Sequence, residues 1–167
     1  MAKQTILTAA RLREIVNYNP ETGEFTSQPT RIGWECGKAQ RRNYRYRVVR
    51  VEGKNHLEHR LVWFWVTGQW PPISSVVDHI NGDATDNRWV NLRLASPSQN
   101  QRNRTRINKN NSSGLTGVYK KRKGDKRWFS MLGKQHLGTF ATKDEAHEAY
   151  RRAALAAYGD FAPDRLA

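Results

Sequence analysis

The chain has 167 residues, a lone cysteine (Cys36) and a formal charge of +14, from 29 Lys and Arg against 15 Asp and Glu. One cysteine excludes an internal disulfide framework and a multi-cysteine zinc centre. No apolar run approaches the roughly 20 residues of a membrane span and no secretory-signal pattern opens the chain, so a soluble, cytoplasmic protein without a membrane partner is expected. A basic excess of this size points to a polyanion, for which nucleic acid is the usual candidate.

In chain order, residues 5–17 read as a short amphipathic helix capped by Thr8, with Leu12, Ile15 and Val16 at helical spacing. Pro20 and Gly23 mark a turn, and Phe25 opens an extended piece. Residues 44–51 mix aromatic, β-branched and Arg side chains and read as a strand, followed by a turn at Gly53-Lys54-Asn55. Over residues 56–67, Leu57, Leu61, Val62, Phe64 and Trp65 suit a buried helix closed by Gly68. Trp70-Pro71-Pro72 makes a rigid exit toward Val77-Asp78-His79-Ile80-Asn81-Gly82-Asp83, where an apolar stretch ends on a carboxylate beside an imidazole.

Asp78 and Asn91 are hard oxygen donors, suited to Mg²⁺ or Mn²⁺ and unsuited to a closed zinc site. A neutral His79 could take a proton from water while a divalent ion stabilises charge on phosphate, a combination that suits phosphodiester hydrolysis. Neighbouring side chains point to opposite faces in mid-strand, but Asp78 and His79 can converge at a strand end or bulge. Asn87 reads as the N-cap of a short helix that presents Asn91.

Residues 96–111 contain one apolar side chain of any size, Ile107, and so bury no core. This is a linker, either a solvated tether or one whose Arg102, Arg104, Arg106 and Lys109 track phosphates. Beyond it, residues 115–121, 127–132 and 135–140 read as three strands broken at Gly124-Asp125 and Gly133-Lys134. Thr142 and Glu145 then form a capping box for a helix with Ala146, Ala149, Tyr150, Ala153, Ala154 and Ala157 on one face, stopped by Gly159. Trp128 is open between stacking on a ligand and packing in the core.

The string Val76-Val77-Asp78-His79, then Gly82, Asn87 and Asn91-Leu92-Arg93, preceded by His59-Arg60-Leu61-Val62, resembles the HNH nucleases. The likeness is to the phage- and intron-encoded homing endonucleases, with a ββα-metal fold. It implies His79 as general base, Asp78 and Asn91 as ligands of a single Mg²⁺ or Mn²⁺ ion, and Asn87 as a brace of the loop; it assigns no role to His59, which reads as structural rather than catalytic. Ser113-Gly114, Gly117-Val118-Tyr119, Arg127-Trp128, Leu137-Gly138-Thr139-Phe140, Glu145-Ala146 and Ala149-Tyr150 resemble an APETALA-type (ethylene-response-factor) DNA-binding domain. Such a domain lays a three-stranded sheet in the major groove with a helix behind. Lys120-Lys121-Arg122-Lys123 and Gly124-Asp125 depart from that pattern, so no sequence specificity carries over.

Together the resemblances imply an α+β protein. Residues 1–95 are expected to hold an N-terminal extension and the nuclease domain (motif 76–95), 96–111 a basic linker, and 112–162 the DNA-binding domain. Arg102, Arg104, Arg106, Lys120, Lys121, Arg122, Arg127 and Trp128 are the expected contacts to double-stranded DNA. The tandem looks like a phage-encoded endonuclease acting in a bacterial cytoplasm; the element Tyr18-x-Pro20-x-Thr22-Gly23 also occurs in such proteins. Its alternative is a non-catalytic DNA-binding regulator with a relic nuclease unit, while RNA binding rests on charge alone. A monomer would nick one strand and a dimer would cut both, and the sequence leaves these open.

Overall fold

The structure, a computed structural model, describes residues 7–27, 46–103, 111–120 and 126–163. It is a mixed α+β arrangement that divides into two compact units, residues 1–97 and 98–167. Among the described residues, no helix is long and apolar enough to cross a membrane.

The first unit opens with α1 (Ala9–Ile15), capped by Thr8, whose Oγ1 accepts from the Arg11 amide at 3.1 Å. β1 (Val16–Asn19) and β2 (Glu24–Ser27) form a hairpin with Tyr18 opposite Phe25. β3 (Val48–Val51) and β4 (Lys54–Leu57) form a second hairpin, and α2 (Glu58–Thr67) follows without a break. Gly68, left-handed at φ +76°, ends α2. β5 (Val76–His79) pairs antiparallel with β6 (Leu92–Ala95), setting Asp78 opposite Arg93 and His79 opposite Leu92. α3 (Pro97–Arg102) starts one residue after β6, and all of it beyond Pro97 belongs to the second unit.

A two-stranded hairpin is marginal alone. These three share one core of Leu12, Val16, Tyr18, Phe25, Val51, Leu61, Val62, Phe64, Val77 and Leu92. Leu61 is fully buried, so its truncation to Ala would cost about 2–5 kcal/mol.

The second unit contains β7 (Val118–Lys120), β8 (Trp128–Leu132) and β9 (Gln135–Phe140), an antiparallel sheet in that order, with α4 (Lys143–Tyr158) packed on it. The capping box forms as expected, with Glu145 N donating to Thr142 Oγ1 and Thr142 N to Glu145 Oε2. Gly117, at φ +71°, is obligatory: a Cβ there would overlap the Tyr150 ring.

Several sequence expectations shift. The helix begins at Glu58 and not at residue 56, because residues 54–57 pair with β3 instead of turning. The expected linker starts as α3, and Arg104 and Arg106 lie outside the described residues. The first strand of the sheet begins only at Val118: Asn111 Oδ1 accepts from Ser113 N, Ser113 Oγ and Gly114 N, curling the preceding segment into a turn. On α4 the buried stripe is Ala146, Tyr150 and Ala154, while Ala157 is exposed.

Candidate active site

His79 is the last residue of β5 and is buried. Its Nε2 lies 3.0 Å from Asn87 Oδ1, and Asn87 Nδ2 donates to Glu58 Oε2 at 2.7 Å. The first residue of α2 is thus linked to the end of β5 through one carboxamide. Asn87 is only 1% exposed and is also held by its backbone, since Tyr18 Oη donates to its carbonyl at 2.8 Å. Burial pushes the Tyr18 phenol up to about 12, so it stays a donor. Gly23 packs so closely that a Cβ would meet Arg88 N at 2.5 Å and the Asn87 carbonyl carbon at 2.6 Å.

Asn87 is not the helix cap expected from sequence. The segment that presents Asn91 is a single 3-10 turn, Trp89–Asn91, preceded by Arg88 with no side-chain cap. The carboxamide of Asn87 faces Glu58 and His79 instead, because a buried carboxylate and a buried imidazole both need partners there.

Asp78 pairs across the hairpin with Arg93, whose Nε and Nη2 both donate to Oδ2, at 2.9 and 2.8 Å. Asn91 holds the intervening loop. Its Oδ1 accepts from Asn81 N at 2.9 Å, and its Nδ2 donates to Asn81 Oδ1 at 3.0 Å and to the Asp86 carbonyl at 2.7 Å. Asp86 is drawn down to about 2, first by the side-chain hydrogen bonds from Arg88. Asp83 is likewise below its usual range, through the amide and hydroxyl of Thr85.

The oxygens of Asp78 and Asn91 fit a hard divalent cation in type. Each already has a protein partner, and a cation at Asp78 would enter beside the Arg93 guanidinium. Among the described residues, no three of His, Cys, Asp and Glu gather as a metal cluster. Asn91 Oδ1 retains one lone pair beyond the bond from Asn81.

His59 sits edge-on to His79, with ring centroids 5.2 Å apart, and Tyr46 lies against both. Its Nδ1 is buried without a hydrogen-bond partner, and burial above all, then His79 and Arg60, pushes it down to about 3. His59 is therefore a neutral packing group at ordinary pH.

In the sequence reading, Glu58, Tyr18, Gly23 and Arg93 had no part in the chemistry of the site, although Gly23 marked a turn and Arg93 closed the nuclease-like string. The signal for Glu58 was an acid set among the apolar residues of a core helix. For Tyr18 and Gly23 it was an N-terminal turn element with no chemistry of its own.

In the second unit, strand pairing puts Lys120, Trp128 and Phe140 on the same side as fully buried Ser130, the side on which α4 packs. Trp128 is half-buried there, with Lys120 Nζ 5.8 Å from its ring centroid. The opposite face carries Tyr119, Phe129 and His136, whose rings stack in sequence at 5.3 and 6.1 Å, with Tyr119 49% exposed. Arg127 is exposed just before β8. Arg102, at the end of α3, has its guanidinium 4.8 Å from the Tyr158 ring centroid. Lys121 and Arg122, like Arg104 and Arg106, lie outside the described residues.

A buried imidazole anchored by a carboxamide, next to a carboxylate paired with Arg in a strongly basic chain, has the makings of a nuclease-type site. Residues 56–102 match the family model of an HNH endonuclease, which supports a nuclease acting on DNA. The match contains Glu58, Asp78, His79, Asn87 and Asn91 and runs on through α3. Comparison with curated proteins and with solved structures gives no match.

Proposed function

We propose that the chain is a divalent-ion-dependent DNA endonuclease with His79 as general base, held to double-stranded DNA by its second unit. The observation that carries this reading is the buried His79–Asn87 bond inside the segment that matches HNH endonucleases. A neutral, fixed imidazole takes a proton from water as the water oxygen bonds to phosphorus and the P–O3′ bond breaks. The leaving oxygen takes a proton from solvent, giving a 5′-phosphate and a 3′-hydroxyl. Asp78 and, through its remaining lone pair, Asn91 would hold Mg²⁺ or Mn²⁺, which when bound supplies charge stabilisation at the phosphate. Asn87 orients the base, and Asn91 also keeps the loop closed.

For residues 112–162, within the second unit, support comes from the ring-bearing face of the sheet, where Tyr119 is 49% exposed, and from the sequence joining β7 to β8, Lys121-Arg122-Lys123-Gly124-Asp125-Lys126. With the Arg and Lys residues of 102–109, these charges would neutralise phosphates and make binding salt-sensitive. The resemblance makes a phage gene and a bacterial cytoplasm the proposed setting.

The test is supercoiled plasmid incubated with the protein and Mg²⁺ or Mn²⁺, with and without EDTA. Nicked or linear DNA that EDTA abolishes is expected, nicked circles indicating one strand cut per encounter. Plasmid left supercoiled with both ions, though bound by the protein, would overturn the enzyme in favour of a non-catalytic DNA-binding regulator.

A further inference from the structure

A neutral imidazole has two tautomers, and only one places its basic lone pair on a given nitrogen. At His79 the hydrogen bond that bears on this choice runs through Asn87 to Glu58. An ionised carboxylate only accepts hydrogen bonds, and Glu58 is 6% exposed with the Arg47 guanidinium Nε 4.0 Å from its Oε2. Its position is fixed by its own amide, which donates to the Arg47 carbonyl at 2.9 Å. Against an ionised Glu58, the Asn87 group 2.7 Å away is the amino end, Nδ2. Flipping the carboxamide would set oxygen against oxygen in a site closed to water.

With Nδ2 committed, Oδ1 faces His79 Nε2 at 3.0 Å, and an oxygen there requires the ring to donate. Neutral His79 then carries its hydrogen on Nε2 and its lone pair on Nδ1. The backbone of Asn87 is pinned by Tyr18 and crowded by Gly23, so the carboxamide has little freedom to drift and weaken the link.

We infer that Glu58 is a positioning residue which, through Asn87, sets the tautomer and ring orientation of His79. The catalytic meaning of this rests on the function proposed above, in which Nδ1 would receive the proton of the attacking water; the tautomer assignment itself does not.

The test is a two-dimensional ¹⁵N–¹H spectrum of the histidine rings in the full-length protein, at a pH where His79 is neutral. Wild type is expected to show His79 protonated on Nε2; protonation on Nδ1 overturns the inference without any variant. Glu58→Ala should give a mixture of tautomers or the Nδ1–H form, whereas Glu58→Gln, which can still present an oxygen to Asn87, should retain Nε2–H. A folded Glu58→Ala with an unchanged tautomer would also overturn it. Should that variant fail to fold, Asn87→Ala removes the acceptor directly and should lose the Nε2–H preference, and its retention overturns the relay. In cleavage assays, Glu58→Ala should lower kcat at least about tenfold with KM nearly unchanged, and Glu58→Gln should restore most of it. If the tautomer behaves as stated while wild type cuts no DNA, the endonuclease reading fails and the relay stands.

Discussion

Replacing Gly23 by Ala tests whether the N-terminal hairpin braces the site. Two costs are separable. The backbone stays left-handed at φ +75°, which costs a non-glycine residue about 1–2 kcal/mol. The new methyl would also fall 2.5 Å from Arg88 N and 2.6 Å from the Asn87 carbonyl carbon, backbone atoms that yield less readily than a side-chain tip. Overpacking of this kind costs about 1–3 kcal/mol. Gly53 isolates the first cost, since it has φ +78° with nothing within 4 Å of a built Cβ. By urea unfolding followed through tryptophan fluorescence, Gly53→Ala should lose about 1–2 kcal/mol and Gly23→Ala about 2–5 kcal/mol. Only Gly23→Ala should also slow DNA cleavage, because displacing the Asn87 backbone moves Oδ1 away from His79. Losses that agree within about 0.5 kcal/mol, the range of ordinary surface substitutions, with equal cleavage rates, would refute the bracing role.

The low pKa of His59 predicts acid sensitivity. As pH falls from 6.5 toward about 3, the unfolded chain takes up a proton that the folded chain refuses, so stability drops by about 1.4 kcal/mol per pH unit. His59→Gln should flatten that part of the stability–pH curve, and an unchanged slope would contradict the assignment. Arg93→Met strips the guanidinium from buried Asp78 and should cost about 3–5 kcal/mol in urea unfolding. Adding Asp78→Asn to it should recover much of the loss. Asn91→Asp should be as damaging as Asn91→Ala: the new oxygen would oppose Asn81 Oδ1 and the Asp86 carbonyl, costing about 1–3 kcal/mol for each hydrogen bond broken. Stability close to wild type in a melting experiment would count against that loop role.

What the sequence made legible followed from local rules. Thr8 and Thr142 cap their helices, Gly68 ends α2, and the spacing of Ala146, Tyr150 and Ala154 marked the buried stripe of α4, because capping and helical periodicity are encoded within a few residues. The Asp78–His79 strand end was readable for the same reason. Contacts between distant segments were not. Glu58 reaches Asn87 across 29 positions and Tyr18 reaches it across 69, so neither leaves a local trace. β4 was misread because residues 54–57 continue into α2 without a turn residue between them, and the pairing with β3 that decides their conformation is tertiary. Asn91 was read as an oxygen ligand from its residue type and from the nuclease resemblance, and its loop contacts left no trace in the sequence. Its three loop hydrogen bonds show the commoner use of a buried carboxamide, joining backbone to side chain where a loop would otherwise leave polar groups unpaired.

The central claim, that this buried imidazole is the base of a DNA-cutting site, is tested most directly by the single-turnover nicking rate of His79→Ala beside wild type. Both should be assayed on the same plasmid with saturating Mg²⁺, with DNA affinity measured in parallel. The variant's rate is expected to be about 10²–10⁴-fold lower, with affinity nearly unchanged. A purified, folded His79→Ala protein that nicks at the wild-type rate would contradict it.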